Sequence, residues 1–80
     1  MTTDLLEVMA QGTMRAMVLQ ARERGIDPAR DECIAKARQI IKDEWAEFLE
    51  TIKDAATMGD AMAKHTMNTY CNSWAVKAIK

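Results

Sequence analysis

The sequence has little proline, glycine or cysteine, and these shortages exclude several classes of protein. One proline and three glycines in 80 residues leave few turn signals, and strand-like alternating runs are few. Two cysteines, Cys33 and Cys71, are too few for a disulfide framework, so we predict free, buried thiols in a reducing cytoplasm. No apolar run approaches the roughly 18 residues of a membrane span, and the start lacks the features of a signal peptide. We therefore expect a cytoplasmic protein without membrane association.

The composition and length predict one small helical domain. Hydrophobic residues make up 49% and charged residues 29% of the chain, which is typical of a folded globular protein. A chain this short buries a limited core, so partners often add to its stability. We predict that residues 1–80 form a single all-α domain, a small three-helix bundle with antiparallel neighbours and a long central helix.

The first predicted helix begins at the N-cap Thr3 and ends at Gly25, which reads as the C′ residue. Gly12 and Ala16 lie one turn apart and would let another helix approach closely. The apolar face of this first helix is wide, because it consists of two neighbouring stripes. One stripe is Leu5, Met9, Gly12, Ala16 and Leu19, and the other is Leu6, Ala10, Met14, Met17 and Ala21.

The second predicted helix begins at Asp27-Pro28, a capping residue followed by proline at the first helical position, and continues to about Ala56. The third helix covers roughly residues 61–78, with Asp60 as its cap. We expect the chain to be organised around the second helix, because its apolar seam follows a helical period throughout. The seam is Ile34, Ala37, Ile41, Trp45, Phe48 and Ile52.

Four carboxylates line the opposite side of the second helix, at steps of four, three and four residues. We call them the acidic ridge: Asp43, Glu47, Glu50 and Asp54. Like charges one turn apart destabilise a helix by a few tenths of a kcal/mol (roughly 0.2–0.5 per pair), and a row of four would be accepted if it faced cations. Residues 43–60 carry a net charge of −5 in a chain whose net charge is −1. A solvated face and a metal site are the other interpretations.

The acidic ridge leads to a functional hypothesis, a small non-catalytic protein that binds other proteins. We predict a protein partner with a basic surface, because a carboxylate row can imitate spaced phosphates and occupy a groove lined by Arg and Lys. A chain that begins with Met and holds one domain suggests a complete small accessory factor or inhibitor, including phage-encoded ones that act on a host nucleic-acid-binding complex. A homodimer is also open, since the basic first half complements the acidic middle.

A small DNA-binding transcriptional regulator is the alternative from another functional class. Arg15, Arg22 and Gln11 share one side of the first helix, and the third helix offers Asn68, Asn72, Lys64 and Lys77. The acidic ridge would repel phosphates, so direct nucleic-acid binding is the weaker hypothesis.

A third hypothesis concerns nucleotide hydrolysis. Asp43-Glu44-x-x-Glu47 is similar to the E-E-x-x-E motif with which all-helical nucleotide pyrophosphohydrolases of the MazG type bind magnesium. The family also uses an E-x-x-D motif on a following helix, and this chain has no such motif. The single histidine, His65, forms no metal-ligand spacing with either cysteine. We therefore predict no catalytic residue, no metal site and no cofactor.

Overall fold

The computed structural model describes residues 4–25 and 31–79, which form three α-helices and no strand. Helix α1 spans Leu5–Arg24, α2 spans Asp31–Thr57 and α3 spans Asp60–Ile79. The second helix is the longest, with 27 residues. The prediction of a small all-α three-helix bundle with a long central helix is confirmed.

The ends of α1 are set by one carboxylate and one glycine. The Asp4 side chain accepts a hydrogen bond from the backbone N–H of Leu6 at 3.1 Å. The N-cap is therefore Asp4, and the prediction of Thr3 was wrong by one residue. An aspartate caps at least as well as a threonine, and its negative charge also interacts favourably with the helix dipole. Gly25 ends the helix as predicted, in the left-handed conformation with φ of 67° and its N–H bonded to the Ala21 carbonyl.

Of the two predicted ends of α2, only the C-terminal one lies within the described residues. The predicted start at Asp27-Pro28 lies outside the described residues, and the described helix begins at Asp31. Its end at Thr57 is one residue beyond the predicted end at Ala56. No signal inside this stretch interrupts the helix.

The turn before α3 corrects another predicted cap. Gly59 has a φ of 119°, and its carbonyl accepts the first helical hydrogen bond, from the Ala63 N–H at 3.2 Å. Gly59 thus occupies the N-cap position, and Asp60 is already inside the first turn. The prediction that Asp60 caps α3 was wrong because the glycine backbone makes the turn one residue earlier. The Asp60 carboxylate still lies where the helix dipole favours a negative charge.

Helix α3 is the element against which the other two pack. It contacts α1 and α2 extensively, whereas α1 and α2 make few contacts with each other. The sequence analysis predicted that the chain is organised around the second helix, and this prediction was wrong for the packing of the helices. The reason for the difference is that α3 has two apolar sides: Cys71 lies against α1, while Tyr70 and Trp74 pack against Phe48 of α2.

Phe48 is the centre of the aromatic part of the core. Its ring is fully buried, and its centroid lies 5.1 Å from that of Trp45, 5.1 Å from that of Tyr70 and 5.5 Å from that of Trp74. The Tyr70 hydroxyl lies 3.2 Å from the Thr51 hydroxyl, so the polar end of this half-buried ring has a partner. Four aromatic side chains from two helices thus fix how α2 lies on α3.

The apolar stripes of α1 are only partly buried. Met9, Ala16, Met17 and Ala21 are buried. Leu6 and Leu19 belong to the same stripes but remain 46% and 64% exposed. The helical period identified the correct stripes, but the stripes are wider than the face that α3 covers.

Gly12 allows the close approach of α1 and α3 that its spacing predicted. A Cβ placed on Gly12 would lie 2.8 Å from the Cys71 sulfur. That thiol lies 3.6 Å from the Met9 carbonyl oxygen, to which it donates. The buried Thr13 hydroxyl donates to the same oxygen at 2.7 Å. The contact between the two helices therefore depends on a residue without a side chain.

We predict that the effect of Gly12→Ala changes sign with the residue at position 71. Alone, it should lower the free energy of unfolding by about 1 kcal/mol, because overpacking costs roughly 1–3 kcal/mol and the gain in helix propensity is about 1 kcal/mol. With Cys71→Ala present, it should raise that free energy by up to about 1 kcal/mol, since the Cβ of residue 71 would lie at an ordinary 3.8 Å. A urea double-mutant cycle measures both values. The same sign in both backgrounds would contradict the close contact.

Burial of Cys71 makes stability sensitive to alkaline pH. Desolvation raises the pKa of this thiol above its ordinary value of 9.0, against smaller lowering effects of Thr13 and Arg15. Above pH 9.0 the unfolded chain loses the thiol proton while the folded chain keeps it. The stability that the protonated Cys71 thiol contributes is thus fully present below that pH, and it is lost as the pH rises through the pKa of the thiol in the folded protein. We expect the free energy of unfolding to fall relative to Cys71→Ala only on this alkaline side, as measured by urea unfolding at a series of pH values.

Candidate functional site

The acidic ridge lies on the outer side of α2. All four of its residues are exposed. They cover about 16 Å along the axis, at 1.5 Å per residue. The one side-chain hydrogen bond to a ridge carboxylate within ranges 4–25 and 31–79 comes from Gln39, whose amide donates to Asp43 at 2.8 Å. Within those ranges no Lys or Arg forms a salt bridge with a ridge carboxylate, and Lys77 interacts with the charge of Glu47 only at longer range.

Glu44, next to the ridge in sequence, has a different role. Its carboxylate accepts a hydrogen bond from the Lys77 ammonium at 2.8 Å, which joins α2 to the last turn of α3. This hydrogen bond raises the pKa of Lys77, and the charges of Glu44 and Glu47 act in the same direction. Glu44 is therefore directed towards α3, while Asp43 and Glu47 face solvent.

The metal-ligating residue types are dispersed. Among the described residues, no group of three His, Cys, Asp or Glu side chains comes together to hold a metal ion. The carboxylates of the Asp43-Glu44-x-x-Glu47 pattern diverge, because Glu44 is paired with Lys77. Cys33 and Cys71 are free and buried, as predicted, and lie in separate core clusters. His65 is exposed.

The residues of the DNA-binding alternative do not form a continuous basic surface. Arg15 and Arg22 are both exposed on one side of α1, as predicted, but Val18 and Leu19 lie between them at the surface. Lys77 of α3 is in an ion pair with Glu44. A groove-reading helix needs several polar or basic side chains free on one face.

A trough between α1 and α2 was not predicted from the sequence. It consists of two adjoining cavities of about 600 and 520 Å³. They share Ala10 of α1 and Ile41 and Arg38 of α2. The signal that could have revealed it is the width of the α1 apolar face, which exceeds what one neighbouring helix can cover.

These features define a three-helix protein with an acidic ridge on one side of α2 and an open trough on the other. No protein-family model, no curated protein and no solved structure matches this chain. Within the part of the chain that the structure describes, every helix is too polar to cross a membrane.

Proposed function

We propose that this protein is a non-catalytic binding protein of the cytoplasm whose acidic ridge occupies a basic surface on a protein partner. It acts as an accessory factor or inhibitor by covering that surface and excluding other ligands from it. The single observation that carries the proposal is that the carboxylates of the acidic ridge are exposed and form no salt bridge within the described residues. Four carboxylates lie in one exposed row, and the described residues pair none of them with a cation.

The physical argument compares the ridge with an ordinary charged surface. Solvated helix faces commonly alternate acids with bases at i, i+4 spacing, which stabilises the helix. The ridge instead places like charges one turn apart, and Asp43 gains a hydrogen bond from a neutral amide. A partner that supplies Arg or Lys side chains would relieve this repulsion and form charge-assisted hydrogen bonds. A partner that normally holds nucleic acid presents such cations in a row.

The negative charge also favours rapid association. Residues 43–60 are strongly acidic while the whole chain is nearly neutral. The negative electrostatic field of the protein is therefore concentrated at the C-terminal half of α2. Such a field steers a basic partner towards one face and speeds the encounter, and salt screens the effect. Binding by the ridge is therefore expected to weaken as ionic strength rises.

The test is affinity capture from the source organism with the wild-type chain and four variants. Glu47→Lys and Glu50→Lys reverse the charge at two ridge positions, singly and in combination, while Glu23→Lys on α1 makes the same change in net charge as either single variant. All these residues are exposed. We expect one set of proteins to be captured by wild type and Glu23→Lys, to be released by salt, and to be lost from the double variant.

Capture that survives the double reversal unchanged would contradict the proposal. The native mass of the purified chain, measured by light scattering with and without the reversal, separates a homodimer from a complex with another protein. A dimer that dissociates in the double variant would show that the basic partner is a second copy.

A further inference from the structure

The trough lies on the side of α2 opposite the acidic ridge. Its residues on α2 run from Ile34 to Trp45, and those on α1 run from Leu6 to Arg15 in the antiparallel direction. The common stretch is about 15 Å long, or about three helical turns. The residues that line both cavities all belong to α1 and α2, and α3 packs against each of these two helices.

The floor is apolar and the rim is mostly basic. Leu6, Ala10 and Met14 on α1 face Ile34, Ile41 and Trp45 on α2. The charged lining residues are Arg15, Arg38, Lys42 and Glu7, three cations against one anion. Within residues 4–25 and 31–79, neither Arg38 nor Lys42 has an ion-pair partner.

An apolar floor between two antiparallel helices is the geometry that receives an amphipathic helix. The rim determines which helix fits. Carboxylates on either flank of an incoming helix would meet Arg38 and Lys42 on one wall and Arg15 on the other. A second copy placed with its α2 against this α2 would instead bring the Arg38 and Lys42 side chains of the two copies together, and like charges at an interface are unfavourable.

We infer that the trough binds an acidic amphipathic helix of about three turns from a protein partner, with its apolar side on Ala10 and Ile41 and its carboxylates on Arg38 and Lys42. This site is separate from the acidic ridge and takes a partner of the opposite charge. A chain with both sites can join an acidic helix to a basic surface.

The test uses two stapled, fluorescein-labelled helical peptides of about four turns, so that the helix exceeds the length of the trough. Both carry leucines at three- and four-residue spacing, with Glu on the flanks of one and Lys on the flanks of the other. Fluorescence anisotropy should show that the acidic peptide binds at least about tenfold more tightly than the basic one. The double variant Arg38→Glu/Lys42→Glu should weaken acidic-peptide binding by at least about tenfold.

The matched control is Arg22→Glu/Lys64→Glu, which makes the same change in net charge outside the trough. Both pairs of residues are exposed, so folding is expected to persist and is checked by circular dichroism. The control and the ridge variant Glu47→Lys/Glu50→Lys should both retain peptide binding, which separates this site from the proposed function of the ridge.

Equal binding of the two peptides, or equal losses in the trough variant and its control, would overturn the inference. A wild-type dimer that the acidic peptide dissociates, seen by sedimentation equilibrium, would assign the trough to a second copy and would also overturn it.

Discussion

Replacing Phe48 with alanine is expected to lower the free energy of unfolding by about 3–5 kcal/mol, the range for truncating a buried phenylalanine. Its ring is fully buried and touches aromatic side chains of both α2 and α3. A protein of 80 residues has a total stability of about 4–12 kcal/mol, at 0.05–0.15 kcal/mol per residue. The loss is therefore at least about a quarter of the total stability. Urea unfolding followed by circular dichroism at 222 nm (roughly the helix minimum) measures the loss.

Leu49→Ala is the matched control for this prediction. Leu49 is the next residue on the same helix but is 41% exposed, so its truncation should cost well under half as much as that of Phe48. Equal losses from the two substitutions would mean that the aromatic cluster does not hold α2 against α3.

The second large effect concerns binding by the acidic ridge. Glu47→Lys/Glu50→Lys should weaken binding of a captured basic partner by about 100-fold, if each lost charge pair contributes about 1.4 kcal/mol, the equivalent of tenfold. The stability of the variant should change little, because both side chains are exposed on the helix surface. Isothermal titration calorimetry at several salt concentrations measures the affinity and its salt dependence.

Glu23→Lys again serves as the control, with an expected change of less than about threefold. The affinity of wild type should also fall more steeply with salt than that of the double variant. A loss shared equally by Glu23→Lys would show that net charge, not the ridge, determines binding.

The sequence predicted the features that depend on a single helix. The periods of α2 identified both the apolar seam, of which Ala37, Ile41 and Phe48 are buried, and the exposed ridge, because charged side chains avoid burial. Gly25 as a helix end and Gly12 as a point of close approach followed from the conformational freedom and the small size of glycine. These properties depend on local spacing and are independent of how the helices are arranged.

The features that depend on two helices could not be predicted. The Lys77–Glu44 pair joins residues 33 positions apart, and no local pattern specifies it. The position of α3 between the other helices, and hence the trough, depends on how closely each pair packs. Leu6 illustrates the limit: it belongs to an apolar stripe of the first helix, yet it lies at the edge of the trough because α2 does not cover it.

The most direct test of the central claim is a charge-swap experiment on the acidic ridge. Once a partner has been captured, the Arg or Lys residues that the ridge contacts are located by cross-linking and changed to Glu. The account predicts that this partner variant loses wild-type binding but binds Glu47→Lys/Glu50→Lys at least about tenfold more tightly than the unmodified partner does. If the reversed pair binds no better than either mismatched pair, the ridge does not contact the partner and the central claim is contradicted.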